Sequence, residues 1–582
     1  MLKIKEIISK HPDISAYLLL AVLCWIFLIW GINFYPLLDV DETRYAIMSR
    51  DMAYSNDWNT LVLNSVPFLE KPPFYFWLVG FSIKLFGNFS NMAVRIPIAF
   101  LSTFFIFATY AFGKKVISRK FGLFSSITLL TSVFFLIFAH VAILDIILTI
   151  WIACSLYCAY LSHIVTDKYK KYCWWGFWTF AGMGFLAKGI LAIAIPFVIM
   201  FLYCFLTKTL KDMFKPLHFL VGFLVFLLII LPWHIAMYRD FDKMFIHEYF
   251  IKHHFARLIN SNEIGRKHSL FYFIPVFLIA FLPWTIIFLS AVFNQFKELY
   301  SRFKHSTGNI YNKILCACYP KNENEKMLLF SLIYFVVVFG VMSISSTKLP
   351  SYILPAIPPA AFITGYFWCK SYEDDKYKKI ISVSTNILAA IFILAGLFTA
   401  IGFIFFPSKV IEILNPFKYP VLLGCCFVGM LMIIKLKSKH LVSIFSGYVI
   451  TMFFVITFAV TNLFTILYSG GEDELILYSN YANTINTRLV TFDFAVKPST
   501  KIYYNDYVDY ITDRDFKKLE SIVSNKNVPV FVIVKNKEVK NGNYAKELAK
   551  YLYPVRIGKK YSLMFNIKMP SKTKLYPILE IQ

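Results

Sequence analysis

Apolar stretches alternate with short polar or basic segments along most of this chain. Such stretches lie, for example, at 17–34, 219–232 and 380–405. A helix of about 20 apolar residues is long enough to cross a hydrocarbon layer about 30 Å thick. The pattern therefore predicts a polytopic α-helical membrane protein.

The alternation predicts about thirteen transmembrane helices. Lysine and arginine cluster on every second connection, as the positive-inside rule requires of cytoplasmic loops. The N-terminus is then cytoplasmic, and an odd number of spans places the C-terminal segment outside. The first span lacks a small-residue cleavage site, which predicts a retained anchor. The predicted spans are roughly 15–34, 90–112, 122–139, 146–163, 173–187, 190–206, 217–232, 271–294, 327–344, 352–369, 380–404, 418–434 and 441–468.

Two domains are predicted. Residues 1–469 form the transmembrane domain, with long outer loops at about 35–90 and 233–270. Residues 470–582 form a small α/β domain on the outer, periplasmic side, long enough to have its own core. Its strand-like runs are 489–494, 501–504, 528–534 and 561–567, and its helix-like runs are 515–524 and 544–551.

Composition and charge support this interpretation. The chain has 582 residues, of which 58% are hydrophobic and only 16% charged, whereas soluble domains have about 25% charged residues. The net charge of +25 comes largely from the basic loops, which argues against nucleic-acid binding. None of the ten cysteines falls on the predicted outer side, so a disulfide-stapled ectodomain is not expected.

The first outer loop carries an unusual charge cluster. Asp39, Asp41, Glu42 and Arg44 lie within six residues, just beyond the first span. Charges held close to lipid are costly and indicate function by default. An amphipathic surface helix with an acidic first turn, stabilised by the helix dipole, is the structural alternative.

A second cluster begins an aromatic helix further along the same loop. Pro72 and Pro73 suit the first positions of a helix, and the aromatic residues after them suit a membrane interface. That structural account leaves Glu70 and Lys71, which stand immediately before the prolines, unexplained.

Other charged residues fall on the same predicted side. The second outer loop contains His247, Glu248, His253, His254 and Arg257. Histidine and carboxylate are ordinary metal ligands, although this spacing matches no known zinc signature. Shorter connections add Asp145, Lys188 and Lys348, of which Lys188 could instead reach the interface by snorkelling.

The predicted topology brings these residues to one membrane face. Several cations with a few carboxylates suit a site that grips a phosphate and a sugar, because cations stabilise a phosphate leaving group. No glycine-rich nucleotide loop accompanies them, so no nucleotide cofactor is expected. A lipid-linked sugar donor fits an outer site better. The converging residues are Asp41, Arg44, Lys71, Asp145, Lys188, His254, Arg257 and Lys348.

Three of these segments together resemble the aminoarabinose transferase family of lipid A glycosyltransferases, which is related to the protein O-mannosyltransferases. They are the Asp39–Tyr45 run, the Glu-Lys-Pro-Pro motif at Glu70, and the Lys-Leu-Pro-Ser-Tyr-Ile-Leu-Pro motif at Lys348. The segment of His254 and Arg257 adds to the resemblance. The resemblance implies a GT-C fold, an undecaprenyl phosphate-linked amino sugar donor and a lipid A phosphate acceptor. It also implies a periplasmic site in a bacterial inner membrane.

The resemblance also assigns roles to residues. It implies catalytic roles for Asp41, Lys71 and Asp145, with Lys71 as a ligand of the donor phosphate. It implies a metal-binding pair, Glu70 and His254, and hence a divalent metal such as zinc or magnesium. Two positions depart from the family pattern, since Phe68 replaces a common tyrosine and Ile47 a frequent glutamate. The predicted substrate-binding residues are Arg44, Tyr45, Lys188, Arg257, Lys348 and Tyr352.

Two rival functions remain open. A protein O-glycosyltransferase would use the same donor class, but its hydroxyl acceptor would need a general base, and Asp41 would then be that base. A transporter of lipid-linked sugars would place its site near the bilayer midplane, where this chain has few charges. The sugar stays open between aminoarabinose, which is the family default, and galactosamine or another hexose.

Overall fold

The fold is described by a computed structural model, which covers residues 11–64, 66–256, 268–307, 309–405, 418–437, 440–463, 472–504, 507–540 and 542–568. Contacts between Cα atoms divide the chain into two compact units. The first unit comprises Met1–Trp30, Leu69–Tyr75 and Arg95–Thr457. The second comprises Gly31–Phe68, Phe76–Val94 and Phe458–Gln582.

The described part of the chain is mostly helical. Some helix starts are capped: the Ser118 hydroxyl accepts from the Phe121 amide at 3.2 Å, and Asn322 Oδ1 accepts from the Glu325 amide at 2.9 Å, which satisfies a free amide of the first turn. The α-helices up to residue 458 are α1 Pro12–Cys24, α2 Asp41–Ser55, α3 Phe74–Phe86, α4 Asn91–Val116, α5 Arg119–Leu130, α6 Val133–His140, α7 Leu144–Leu161, α8 Asp167–Lys188, α9 Leu191–Leu206, α10 Leu210–Met213, α11 Pro216–Phe245, α12 Phe273–Ala280, α13 Thr285–His305, α14 Ile310–Cys318, α15 Glu323–Ile344, α16 Ile357–Lys370, α17 Asp375–Phe405, α18 Lys418–Lys437 and α19 Leu441–Phe458.

Shorter helical turns extend or join several of these helices. A π-helical turn, Trp25–Ile29, continues α1, and another, Ile246–Ala256, continues α11. Two 3-10 turns, Leu270–Tyr272 and Pro350–Ala356, lead into α12 and α16. A third π-helical turn, Ala459–Leu463, follows α19.

Seven helices of the described residues are long and apolar enough to cross a membrane. The number rises to nine when two bent pairs are each counted as one span, α5 with α6 at 61° and Leu270–Ala280 with α13 at 119°. The chain is therefore a multi-span membrane protein, as the hydrophobic pattern predicts. The total of thirteen spans stays a prediction.

Close helix packing in the first unit fixes the positions of α7 and α8. A Cβ atom added to Gly184 would lie 2.8 Å from the Ala192 Cβ and 3.1 Å from the Trp151 Cβ. Only glycine leaves room for this approach of α8 to α7 and α9. Trp151 also stacks on Phe180 of α8, with 5.5 Å between ring centroids. Lys188 follows one turn after Gly184, so this packing sets its position.

The second unit contains a five-stranded sheet. Its strands are β3 Arg488–Phe492, β4 Val508–Ile511, β5 Val530–Lys535, β6 Tyr553–Ile557 and β7 Tyr561–Phe565, in the order β4-β3-β5-β7-β6. β3 is parallel to β4 and β5, whereas β7 is antiparallel to β5 and β6. A short antiparallel ribbon, β1 Val62–Leu63 with β2 Val66–Pro67, lies in the first-loop part of this unit.

Helices cover both faces of the five-stranded sheet. They are α20 Glu472–Thr484, α21 Pro498–Tyr504, α22 Phe516–Val523, α23 Asn536–Lys540 and α24 Gly542–Ala549. Leu489 and Phe531 pack with Leu475 of α20 on one face. Successive strand residues point to opposite faces, so Val490 packs with Leu519 of α22 on the other. The predicted α/β character of this segment is confirmed.

One predicted strand is wrong. Residues 501–504 belong to helix α21, and the sequence analysis missed the neighbouring strands β4 and β6. The aromatic and β-branched residues of this run favour a strand. In the structure Pro498 begins the helix, and Asp39 accepts hydrogen bonds from the Ser499 amide at 3.1 Å and the Ser499 hydroxyl at 2.6 Å. Pro498 is a local signal for this helix start, and the distant Asp39 carboxylate stabilises it further.

Candidate active site

A cavity in the first unit brings together several of the predicted residues. It contains about 840 Å³ of space unoccupied by protein atoms, part of which is open to solvent. Its polar wall contains Lys71, Asp145, Lys188, His253 and Tyr352. Ser345 and Thr347 complete that wall, and its apolar wall consists of Leu148, Ile190, Leu191, Val341, Met342 and Pro355.

A buried ion pair lies in the cavity wall. The Lys188 Nζ donates to Asp145 Oδ1, and the two side chains are only 15% and 14% exposed. Lys188 is the last residue of α8 and Asp145 lies in the first turn of α7. The Lys188 Nζ also lies 4.7 Å from the centroid of the Tyr352 ring. Snorkelling therefore does not account for Lys188, because its ammonium points into the protein.

The segment that carries Lys71 is held against α7. The Tyr75 hydroxyl donates to the Ala142 carbonyl at 2.8 Å, three residues before Asp145. Phe74 makes an edge-on contact with Trp151 of α7, with 5.6 Å between ring centroids. As predicted, Pro72 and Pro73 precede an aromatic helix, which begins at Phe74. These contacts explain how two motifs about 70 residues apart reach one cavity.

The predicted metal-binding pair is only partly described. Glu70 Oε1 lies 3.7 Å from the Nε2 of His253, the neighbour of the predicted His254. The same nitrogen, His253 Nε2, also lies 4.0 Å from Glu248 Oε2. The His254 side chain lies outside the described residues. Within the part of the chain that the structure describes, no group of three or more His, Cys, Asp or Glu side chains is placed to hold a metal ion.

Lys348 has a different environment from the other predicted residues. It is 4% exposed, and its Nζ donates to the carbonyl oxygens of Ser345 at 2.6 Å and His268 at 3.4 Å. It is not among the residues that line the cavity, although Ser345 is. Its observed contacts therefore hold the loop before Pro350. Arg257 lies outside the described residues.

Asp41, Arg44 and Tyr45 belong to the second unit. A helix is present here as α2, with Asp41 in its first turn, but most of its residues are buried, so it is not the amphipathic surface helix of the structural alternative. Asp41 Oδ1 accepts from Arg44 Nη2 at 2.6 Å, and the two side chains are 48% and 27% exposed. The Arg44 guanidinium also lies 5.3 Å from the Tyr45 ring centroid and 5.8 Å from that of Phe68.

Asp39 connects this segment to the C-terminal part of the same unit. Besides the two hydrogen bonds from Ser499, it accepts one from the Thr43 hydroxyl at 2.5 Å. Lys501 Nζ also lies 3.4 Å from Asp51 Oδ2 in α2. The start of the helix that carries Asp41 is thus held by helix α21.

Comparison with known proteins agrees with the motifs. Residues 70–235 match the family model for dolichyl-phosphate-mannose-protein mannosyltransferases. The undecaprenyl phosphate-alpha-4-amino-4-deoxy-L-arabinose arabinosyl transferase of Wigglesworthia glossinidia brevipalpis is 29% identical over 365 residues, which are 62% of this chain and 60% of that protein. The protein of the same name from Yersinia enterocolitica is 27% identical over 67% of this chain and 64% of that protein.

The fold is also similar to a solved structure of this group. The crystal structure of ArnT from Cupriavidus metallidurans bound to undecaprenyl phosphate superposes with a TM-score of 0.74. The match covers 96% of this chain and 98% of that chain, at 19% sequence identity. The chain is therefore similar in sequence and in fold to the aminoarabinose transferases. The GT-C fold that the resemblance implies is confirmed. In sequence, the chain spans about 60% of the length of the curated relatives that it matches.

Most of the cavity's apolar wall is not predicted by the sequence. Leu148, Ile190 and Met342 lie in spans or at their ends, where an inward-facing apolar residue has the same character as one that faces lipid. His253 was noted but not selected. Its position next to His254 indicates it as the alternative ligand. Two adjacent residues of a helix point in different directions, so only one of the two histidines can face Glu70.

Proposed function

We propose that this protein transfers an amino sugar from undecaprenyl phosphate to a phosphate of lipid A, at the periplasmic face of a bacterial inner membrane. The observation that carries the proposal is the cavity that joins Lys71, the Asp145–Lys188 pair and Tyr352 to an apolar wall. The names of the relatives support the choice of sugar and carrier. Aminoarabinose is the first candidate, and galactosamine or another hexose the next.

The cavity has the chemistry that a polyprenyl phosphate donor requires. Its ammonium groups, from Lys71 and Lys188, suit the phosphate, and its apolar residues suit the first isoprene units. The related ArnT of Cupriavidus metallidurans binds undecaprenyl phosphate. A pocket with mostly apolar walls and a few placed polar groups is the general form of a ligand site.

The proposed reaction is a direct displacement at the anomeric carbon. An oxygen of the lipid A phosphate attacks this carbon and forms the new glycosyl phosphate bond. The bond to the carrier breaks, and its electron pair leaves with undecaprenyl phosphate. Lys71 neutralises the charge that develops on the leaving phosphate, and such placed charges lower reaction barriers strongly.

The acceptor needs little general base catalysis. The second pKa of a phosphomonoester is about 6, so the attacking oxygen already carries a negative charge near neutral pH. The proposed reaction therefore does not need Asp41 for proton removal. Asp145 acts by holding the Lys188 ammonium in the cavity wall.

No step of the proposed reaction involves a divalent metal. Glu70 and His253 would supply two ligands, whereas catalytic zinc sites usually have three from the protein. The ligand set of the described residues is thus incomplete. Activity after exhaustive chelation, with zinc and magnesium added back separately, tests the metal implied by the resemblance.

The proposed orientation follows the positive-inside rule. It has a cytoplasmic N-terminus, thirteen spans, and the sheet-containing C-terminal segment in the periplasm. Cysteines introduced at exposed positions such as Lys211 and Lys517 and labelled with a membrane-impermeant maleimide test it. Labelling of position 517 but not 211 in intact spheroplasts is expected. The reverse result would contradict the orientation.

Protein O-glycosylation is the second candidate. It is favoured by one observation, the match of residues 70–235 to the dolichyl-phosphate-mannose-protein mannosyltransferase model. A hydroxyl acceptor would need a base, and Asp41→Asn would then abolish transfer. Retained transfer to lipid A by the same variant would favour the phosphate acceptor.

The first experiment is mass spectrometry of lipid A from cells with the gene, without it, and with Lys71→Ala. An amino-sugar mass increment that is present only with the native gene supports the proposal, and its size identifies the sugar. Lipid A that is identical in all three strains contradicts a lipid A acceptor. Periplasmic glycoproteins would then be compared in the same strains.

A further inference from the structure

A second cavity in the first unit opens between the helices α1, α5 and α19. It contains about 950 Å³ of space unoccupied by protein atoms, part of which is open to its surroundings. Leu19 and Leu23 of α1, Leu123 and Ile127 of α5, and Phe445 and Val449 of α19 line it. These helices are all candidate spans or parts of one, so this apolar groove lies at the depth of the hydrocarbon chains.

A lysine and a tyrosine mark one end of the groove. The Lys120 Nζ lies 4.8 Å from the centroid of the Tyr372 ring, and both residues line the groove. The neighbouring cations Lys114 and Arg119 are paired with Asp13, at 2.6 and 2.8 Å. No ion pair of Lys120 is found in the described parts of the chain, so its ammonium is available to an anion.

A polar chamber adjoins the groove at the same end and shares Tyr372 and Val442 with it. It contains about 1090 Å³ of space unoccupied by protein atoms, part of which is open to solvent. Glu373, Asp374 and Asp375 form part of its wall, together with Lys378 and His440. Glu373 is paired with Lys370 at 2.8 Å, and Asp374 Oδ1 accepts from the Lys376 amide at 2.8 Å. Among the described residues, no ion pair of Asp374 or Asp375 is found.

This groove is separate from the proposed active site. Lys120 lies in the first turn of the bent span α5–α6, and Asp145 follows the other end of that span. A molecule with its polar group at Lys120 therefore occupies the opposite end of the bundle from the Asp145–Lys188 pair.

We propose that the groove and chamber bind a phospholipid whose headgroup carries both a phosphate and a primary ammonium, as phosphatidylethanolamine does. One acyl chain occupies the groove, the phosphate contacts Lys120, and the ammonium lies in the chamber with Asp374 and Asp375. Acyl chains are as apolar as the leucines that they would contact. Selectivity among lipids therefore comes from the headgroup charges.

The headgroup pattern distinguishes this lipid from phosphatidylglycerol and from undecaprenyl phosphate without a sugar, whereas the carrier loaded with an amino sugar shares the pattern. Phosphatidylglycerol offers the phosphate but no ammonium for the carboxylates. Undecaprenyl phosphate lacks the ammonium as well. A basic residue near lipid phosphates contributes about 1 kcal/mol, which corresponds to about a fivefold change in affinity.

Native mass spectrometry of the purified full chain, titrated with each lipid at equal concentration, tests the proposal. We expect phosphatidylethanolamine to be retained in preference to phosphatidylglycerol. Lys120→Gln should lower its binding about fivefold. Asp374→Asn with Asp375→Asn should abolish the preference over phosphatidylglycerol. Lys115→Gln is the matched control, because Lys115 is an exposed lysine of the preceding helix, α4, and does not line the groove.

Val449→Phe, which fills the groove with an apolar side chain, checks the acyl-chain site without changing a charge. It should reduce bound phospholipid while the melting temperature stays close to that of the wild type. Equal retention of the two phospholipids, or unchanged binding in the Lys120 and Val449 variants, would overturn the proposal. Stronger retention of undecaprenyl phosphate, either free or loaded with the amino sugar, would also overturn it and assign the groove to the sugar carrier.

Discussion

The two regions that carry the predicted catalytic charges are built differently. In the cavity, Asp145 and Lys188 come from separate helices, lie 43 residues apart and are about 85% buried. In the second unit, Asp41 and Arg44 are one helical turn apart and much more exposed. Breaking a buried pair leaves an uncompensated charge, whereas an exposed pair contributes little to stability. Similar residue types therefore have unequal structural importance.

The largest effect is expected from Lys71→Ala. Loss of a charge that stabilises the leaving phosphate should lower the transfer rate by about 100-fold or more. The measurement is transfer of a radiolabelled amino sugar from its polyprenyl phosphate carrier to lipid A in membranes. Lys211→Ala, an exposed lysine in α10, should retain wild-type transfer. More than a tenth of the wild-type rate in the Lys71 variant would remove this residue from the mechanism.

Asp145→Asn is expected to destabilise the first unit by about 3 kcal/mol, because it leaves the Lys188 ammonium buried without its counter-ion. Thermal unfolding in detergent measures this change. The double variant with Lys188→Gln should regain part of the stability, since it removes the unpaired charge. Additive losses in the double variant would show that the pair is not coupled.

Ser499→Ala is expected to have an intermediate effect. It removes a hydrogen bond to the Asp39 carboxylate, and bonds to charged groups contribute about 1.5–3 kcal/mol. Hydrogen exchange should increase in the first turns of α2 and α21. Ser521→Ala, which removes only an exposed bond to the Lys518 carbonyl, provides the comparison. Equal exchange in both variants would refute a role for Ser499 in holding this segment.

Asp41→Asn is expected to have the smallest effect on stability, below about 1 kcal/mol, because its pair with Arg44 is exposed. Its melting temperature in detergent should therefore stay within a few degrees of the wild type. A loss of stability as large as that of Asp145→Asn would mean that the exposed pair contributes as much to stability as the buried pair.

Prediction from sequence succeeded where the signal is local. Pro72 and Pro73 begin a helix, Asp41 lies in the first turn of another, and strands β3, β5 and β7 follow their β-branched and aromatic runs. It failed at 501–504, where Asp39 stabilises a helix from more than 450 residues away. No local pattern contains that contact.

The candidate site also contains residues that the sequence predicts correctly and one that it does not. Lys71, Asp145, Lys188 and Tyr352 were selected because charged and aromatic residues near lipid are costly, and all four line one cavity. Lys348 was selected for the same reason, but its ammonium binds carbonyl groups of its own loop region. Charge alone does not tell which cations face a cavity.

The sequence by itself determined that this protein lies in a membrane, and which of its charged residues are candidates for a functional site. Apolar runs long enough to cross a bilayer, and the cost of charges beside lipid, are properties of the local chain. Tertiary structure decided which charges meet, which apolar residues face inward, and which carboxylate stabilises the start of a distant helix. These contacts depend on the packing of helices, and that packing is set by the shapes of residues far apart in the chain.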